Sequence, residues 1–555
     1  MAFRCVTQLM SSSPFSFLSS IYGKNILELD RPFKMFSAYF GQDIEQLTPL
    51  GKYAGRELYE LAEHVDKRAR PELIMWGIDG TRVDRAWLDP SEKSSLERLV
   101  VDFGVNRYPY DQNNWFLHFA SIYLISDPGI ACVLTVTNQT AYAIHKYGNA
   151  EQKKLIPSLT GTSEDIRWGA TWFTELQGGS DLGSNSVGAE FRNGTWYISG
   201  TTKYFSSDAG LADYALVSAR RTGGGAGAKG LSLFLVPEFD SSGSRNFTVR
   251  RLKDKSGTAS VPTGEVEFHN SSATAIGEPD KGIYYIMEDL MVSRLSNAFG
   301  ALGTARKAYL EAYFYSMKRE AFGRKLIDHP LVRRDLMEME IYLEGTLLLT
   351  LLSVDAFQKS WQDTPPYTEK YHMARLLTHV SKNLTADMAS FVTQMAMELH
   401  GGVGFLREFP IERLHREALI TPIWEGPSNI QALDMLESMQ KKGSHLPLLK
   451  TLDKMGKDIS ENSDTYQKAV SSIKSAISRT ERMSSEDAQF FAKDLLNAIG
   501  HGTVVVLLLH AGNLRKDARL VSMAALYYTK FVERKTYGLI DPKVCDSIIR
   551  IDGVE

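Results

Sequence analysis

Cysteine is scarce in this chain. Its 555 residues include three, Cys5, Cys132 and Cys545, too scattered for a disulfide framework or a cysteine-held metal. That usage fits a reducing, intracellular compartment. An excess of one charge is also missing. The 63 Lys+Arg against 66 Asp+Glu leave a net charge of -3, which gives nucleic acid no general electrostatic reason to bind. No uninterrupted apolar run reaches the ~18 residues of a membrane span, so no transmembrane helix is expected. No internal repeat is visible. The dense glycine cluster Gly223–Ala228 joins two β-rich runs with no helix after it, which argues against a dinucleotide fingerprint there. Acidic residues are absent before Glu28, while Arg4, Lys24 and several serines lie in that stretch. This fits a mitochondrial presequence, or else a terminal arm in a cytoplasmic protein.

What is present is ordinary for a globular protein: 43% hydrophobic and 23% charged residues, in a chain long enough for several domains. From about 45 to 165 the pattern is helical, as in Arg56–Glu63 and Gly129–Tyr147. From 168 to 269 short β-rich runs alternate with turn residues, among them Ala215–Ser218, Leu231–Val236 and the hairpin signal Asn193-Gly194. From Gly282 to Gln440 long helices return. Phe299, Leu302, Ala305, Tyr309 and Ala312 mark one buried stripe, and residues 358–368 form a polar, Pro-containing break. Lys441–His445 reads as a linker. Residues 444–555 read as helical again, broken at Gly500 and Gly512, with Val504–Leu509 as core or, less commonly for six apolar residues, a membrane-docking stretch.

Four segments carry chemistry. In Trp424-Glu425-Gly426-Pro427-Ser428-Asn429-Ile430-Gln431 a carboxylate stands on a Gly-Pro turn, behind Gly401-Gly402-Val403-Gly404-Phe405. Beside Trp424 and Ile423 it is expected to lose solvent, which raises its pKa toward that of a base able to take a proton from carbon. An ordinary surface turn is the alternative. In Thr171–Asp181, small residues at Gly178, Gly179 and Ser180 let backbone N–H groups approach a phosphate, and Thr174 and Ser180 add hydroxyls. A plain loop between strands fits the same letters. In Trp196–Ser207, Phe205 and Ser207 lie two apart on one side of a strand, a face suited to a flat polar ring or to cross-strand packing. Arg319–Ile327 closes the long helical pattern. Arg319 and Phe322 suit a phosphate and an adenine, and a basic helix C-terminus with a Gly stop explains them too.

Taken in chain order, from about residue 165 to 438, the segments resemble the acyl-CoA dehydrogenase family. They match its Thr-Glu-x-x-x-Gly-Ser-Asp loop, Trp-Ile-Thr-type strand, Arg-x-x-Phe-Gly helix end and Tyr-Glu-Gly-Thr-type catalytic turn. Glu175–Asp181, Arg251–Lys255, Trp424 where many relatives have Tyr, Pro71-Glu72-Leu73 and Asp79–Asp84 are similar to the AidB-like branch. The resemblance implies an α+β, mainly α fold. Its parts would be an N-terminal arm (1–44), a helical domain (45–165), a middle β-barrel-like domain (166–275), a four-helix bundle (276–440) and a C-terminal helical extension (441–555). It also implies a homodimer or homotetramer that binds FAD, with Arg319 reaching a neighbouring subunit's cofactor.

The implied activity is α,β-desaturation of a fatty acyl-CoA. No side chain accepts a hydride, so the reaction needs a redox cofactor. By resemblance Glu425 is the base and flavin N5 the acceptor, and the Glu425 backbone N–H is a donor to the thioester oxygen. The implied FAD contacts are Thr171, Trp172, Phe173, Thr174, Gly179, Ser180, Phe205, Ser206, Ser207, Arg319, Phe322, His329, Gly401, Gly402, Pro427, Ser428 and Asn429. The implied acyl-CoA contacts are Ser180, Met291, Val292, Ser293, Arg294 and Gly426. No metal is implied, and an electron-transfer flavoprotein is the implied partner. Several residues depart from the family pattern: Pro330 replaces a Gln after the His, Glu398 replaces a Gln, and Phe205, Ser207 and Met291 replace Trp, Thr and an acidic residue. These bear most on the CoA contacts. They motivate a second reading, an acyl-binding flavoprotein with little turnover. A third, a DNA-associated flavoprotein, would need a basic footprint, yet residues 441–555 hold 18 Lys/Arg against 14 Asp/Glu, well dispersed.

Overall fold

The computed structural model describes residues 18–551; the presequence-like stretch with Arg4 and Cys5 lies outside them. The rest of the expected arm is part of the core. Asp30 caps helix α1 (Arg31–Tyr39) by accepting from Phe33 N, and Phe33 and Phe36 are fully buried with Ile21, Ile26 and Leu27. A second correction falls in the helical domain, which contains a hairpin, β1 (Glu72–Trp76) and β2 (Arg82–Trp87). An Asp79-Gly80 turn joins the two strands, and Ala86 N donates to Gly210 O at 2.8 Å, tying the hairpin to the middle domain. The remaining helices there include α2 (Trp115–Ile125), buried all round, and α3 (Pro128–Tyr147), capped by Asp127.

The middle domain is a small closed sheet. Strands β4 (Gly188–Arg192), β5 (Thr195–Ser206), β9 (Gly264–Ala275), β7 (Leu231–Pro237) and β6 (Tyr214–Arg221) pair in a ring, with β6 also bonded to β4. β3 (Gly169–Trp172) lies parallel to β6, and β8 (Thr248–Leu252) flanks β9. Asn193 and Gly194 both have positive φ, 50° and 84°, as a two-residue hairpin turn requires. β6 and β7 are apolar without alternation because both faces are covered. Ala215, Val217, Phe234 and Val236 fill the inside, while Leu216, Leu233 and Leu235 pack with Ile144 of α3 and Ile286 of the bundle.

The bundle is built from α4 (Gly282–Lys318), α5 (Pro330–Gln358), α6 (Glu369–His400) and α8 (Ser428–Lys442), with the short α7 (Pro410–Ala418) between the last two. The stripe from Phe299 to Ala312 is buried as its spacing predicts. Pro330 occupies the first turn of α5, a position where a missing N–H costs nothing. Gly443, at φ 61°, ends α8 and the chain turns directly into α9 (His445–Met455), so Lys441–His445 is a helix cap rather than a linker.

The extension continues with α10 (Ser463–Glu481), α11 (Ala492–Arg515) and α12 (Ala518–Tyr527). Gly500 and Gly512 do not break α11, as their letters suggest. A Cβ on Gly500 would lie 2.7 Å from Leu384 and 2.8 Å from Val380 of α6, so the glycine marks a close helix crossing. α11 has the length and hydropathy of a membrane span, but 78% of its apolar window is buried inside the protein, against helices that include α5, α8, α10 and α12.

Candidate active site

Glu425 sits where α7 hands over to α8. It has φ 58° and Gly426 has φ 90°, and a left-handed Glu is held only by strong surroundings. Gln431 supplies them from the first turn of α8, its amide donating to Glu425 O and to Gly426 O, both at 2.8 Å. Arg294 Nε donates to Glu425 O at 3.1 Å, and Lys382 Nζ to Gly426 O at 2.8 Å. The Ser293 hydroxyl donates to Glu425 Oε2. Asn297, one turn further along α4, donates to Thr421 O at 3.1 Å and accepts from Trp424 Nε1. Residues 293 and 297 share a helix face, so a single face of α4 grips the turn.

Burial pushes the Glu425 carboxyl above the ordinary carboxylate range, against Ser293, Arg294 and Lys382, which pull it down. The cause is not the expected one: Ile423 is 63% exposed and cannot remove solvent from the carboxyl. The same burial lowers Lys382 to about 7, against the attraction of Glu425. Behind the turn, Asp434 accepts from Arg294 Nη1 at 3.1 Å and lies 3.0 Å from His379 Nε2. Burial opposes its ionisation, yet His379, Arg375 and Arg294 hold it well below the usual range. His379 Nδ1 faces Gln431 Oε1 at 2.8 Å, which orients the amide that clamps the turn.

The Thr171–Asp181 loop is fixed by a buried ion pair. Lys203 Nζ on β5 lies 2.9 Å from Glu175, which also accepts from Ser186 N at 2.7 Å and Val187 N at 3.1 Å. Burial opposes the charge on Glu175, but Lys203 and Ser186 hold its pKa at about 2; burial lowers Lys203 to about 8, against Glu175. Thr171, Thr174 and Gly179 are half-buried and Ser180 is exposed. Thr171 Oγ1 donates to Gln139 Oε1 at 3.4 Å, and Gln139 Nε2 donates to Asp289 at 3.1 Å. Burial and the charge of Glu425 raise Asp289, so this chain of contacts runs from the loop to the neighbourhood of Glu425.

Other expected contacts change character. Trp172, Phe173 and Ser206 have buried side chains. Trp172 is packed in the barrel core at 4.9 Å from Phe247, Phe173 packs toward α3, and Ser206 donates to Lys203 O at 3.1 Å. Only their main chains can meet a cofactor. Met291 and Val292 are sealed in the bundle, so neither side chain lines an opening. Ser293, Arg294 and Gly426 are brought directly against Glu425. Phe205 is 55% exposed, and the Ser207 Oγ is buried with no hydrogen-bond partner. Gly401 and Gly402 are exposed, with open space where a Cβ would stand. Pro427 and Asn429 are exposed and Ser428 half-buried at the start of α8. Glu398 accepts from Gln394 at 3.2 Å.

Arg319, Phe322 and His329 form a separate outpost. β10 (Glu320–Ala321) and β11 (Arg324–Lys325) make a two-residue hairpin with Phe322 and Gly323 both at positive φ. That conformation holds Phe322 outward at 97% exposure. His329 packs its ring 6.0 Å from Phe322 and donates by Nε2 to Ala321 O at 3.0 Å. The Arg319 guanidinium makes no hydrogen bond or ion pair among the described residues. An orphaned hydroxyl at Ser207, open glycine backbone and an unpaired guanidinium beside an exposed aromatic ring together fit a dinucleotide cofactor.

Comparison with known proteins gives a consistent picture. Residues 19–165 match the adaptive response protein AidB N-terminal domain, 170–271 the acyl-CoA dehydrogenase middle domain and 280–440 the acyl-CoA dehydrogenase C-terminal domain. The chain is 30% identical over 463 residues to acyl-CoA dehydrogenase family member 11 of Caenorhabditis elegans, covering 78% of this chain and 73% of that protein. It is 35% identical over 430 residues to the putative acyl-CoA dehydrogenase AidB of Escherichia coli, covering 74% and 76%. The solved structure of Caenorhabditis elegans ACDH-11 in complex with C11-CoA matches with a TM-score of 0.79 at 25% identity, covering 92% and 91%.

Proposed function

This chain belongs to the acyl-CoA dehydrogenase family, and from that membership we propose that it desaturates a fatty acyl-CoA thioester between the α and β carbons, with Glu425 as the base. FAD is the cofactor of this family, and the residues around Ser207, Gly401 and Arg319 suit it. When bound, it supplies the two-electron sink that accepts a hydride from the β carbon.

The observation that carries this reading is the grip on Glu425. Ser293 holds Oε2, which leaves Oε1 to take the α proton. The raised pKa makes the carboxylate a stronger base, and the buried setting favours the neutral acid it becomes. The Glu425 N–H is the proposed donor to the thioester oxygen, a bond that strengthens as charge develops there. Arg294, Gln431 and Lys382 keep the turn from moving between these states. We also assign the exposed Phe322 hairpin, with the exposed Leu331, Phe405 and Leu406, to surface covered by a second subunit, and an electron-transfer flavoprotein to reoxidation.

Anaerobic addition of acyl-CoAs of graded length to the yellow protein tests the proposal. Bleaching of the flavin band with formation of enoyl-CoA is expected. Tight binding without bleaching would sink it and favour the second reading, an acyl-CoA-binding flavoprotein, which the C11-CoA complex of ACDH-11 keeps in view.

A further inference from the structure

A cavity lies away from Glu425, where three parts of the chain meet. Its volume is about 500 Å³, within the ~300–1,000 Å³ of small-molecule sites. Phe40 at the end of α1, Leu352 on α5, Met373 on α6, Met455 at the end of α9 and Leu514 on α11 give it an apolar lining. Leu352 is buried while Leu514 is 55% exposed, so the lining runs from a closed floor to an open mouth.

The mouth is basic. Lys359, Lys370 and Lys454 stand there against Asp355 and Asp458. Asp355 is neutralised by a lysine, and Asp458 faces an imidazole. Asp355 lies 2.6 Å from Lys359 Nζ, and Asp458 lies 3.5 Å from Nε2 of His510, whose Nδ1 meets the Tyr39 hydroxyl. Burial lowers the His510 pKa, against Asp458, so the imidazole adds little charge. Lys370 and Lys454 make no ion pair among the described residues. Two ammonium groups without an ion pair therefore line an apolar pocket and outnumber Asp458, the one carboxylate there that no cation neutralises.

We propose that this cavity binds a single-chain amphiphile with an anionic head. The tail lies over Phe40, Met373, Met455 and Leu514, and the head between Lys370 and Lys454. Each feature has a reason in that ligand. Unbranched methionines adapt to tails of different length. Lysine stems are long enough to follow a head group at the mouth. A small hydrophilic anion would leave the apolar floor uncovered, and a neutral tail would leave the lysines unused. None of these residues contacts Glu425, Ser293 or Arg294, so the site is separate from the one proposed for desaturation. Because its walls come from α1, the bundle and the extension, the ligand bridges all three, and a ligand that binds only the folded chain stabilises it.

The test uses the full-length flavoprotein and a decanoate carrying a diazirine on its tail. After irradiation, adducts are expected on the peptides containing Met373, Met455 and Leu514. Excess decanoate or decyl phosphate should suppress them, and decanol should do so at least tenfold less effectively. Whichever anion competes better identifies the source, a free fatty acid or a phosphorylated lipid; both outcomes support the site. The K370E/K454E double variant should lose at least tenfold in affinity with its flavin spectrum and acyl-CoA response unchanged. Met373→Trp, which fills the pocket, should abolish the adducts. Adducts confined to peptides around Glu425, equal competition by decanol, or unchanged affinity in both variants would overturn the proposal.

Discussion

Glu425 could be found from its letters because a lone carboxylate between glycine, proline and aromatic residues is a local pattern. The residues that hold this proposed base in place could not. Gln431, His379, Asp434, Lys382 and Asn297 act through bonds to main-chain atoms or to one another, and they are ordinary members of amphipathic helices until those helices are packed. Replacing Glu425 with Gln should keep FAD and acyl-CoA binding and lower the rate of flavin reduction by at least about 10³-fold, or ~4 kcal/mol; activity within tenfold of the parent would place the base elsewhere. Lys382→Met tests the electrostatics. The ammonium pulls the Glu425 pKa down, so its removal should move the acid limb of the kcat/KM profile to higher pH. A variant profile that stays in place, or moves to lower pH, would show that Lys382 serves only to hold Gly426.

Loops and helices show the same division. The hairpin turns at Asn193-Gly194 and the strands around them were legible because turn chemistry and alternation are local. The Glu175–Lys203 pair was not, since nothing in the chain says that residues 28 apart meet as a buried pair. It gives the Thr171–Asp181 loop a pH dependence. The Glu175 pKa is held at about 2 in the folded protein, against an ordinary 4.5. Its contribution is therefore complete above about pH 4.5 and is lost as pH falls through about 2. Acid titration followed by flavin fluorescence should show the cofactor loosening over that window. Glu175→Gln should loosen it already at neutral pH, because Lys203 is then buried without a partner. Gly500 belongs here too. Its substitution by Ala forces Leu384 or Val380 to shift, at a cost of about 1–3 kcal/mol that the gain in helix propensity, ~1 kcal/mol, only partly offsets. The melting temperature should fall while helix content stays constant.

Across the whole molecule the extension is part of the body. Leu496, Ile499, Leu507, Leu508 and Leu520 are buried, and α11 packs on α5, α6 and α8. Ending the chain after Gly443 should expose the apolar faces of those helices and lower solubility and oligomeric order. A truncated protein that stays soluble and fully assembled would show that the bundle closes by itself.

The sequence alone determined the class of the fold, the order of helical and β regions, the family and the turn that carries the proposed base. These rest on periodicity, turn residues and short motifs, which are properties of neighbouring letters. Only the tertiary structure decided how they are held. It showed that residues 18–44 belong to the core, that Gly500 is a contact and not a break, and that Trp172, Met291 and Val292 are sealed inside. It also replaced Ile423 with burial against α4, α6 and α8 as the source of the raised pKa of Glu425. The reason is that desolvation and close packing depend on groups far apart in the chain, and sequence pattern does not record which of two apolar faces will be covered, or by what.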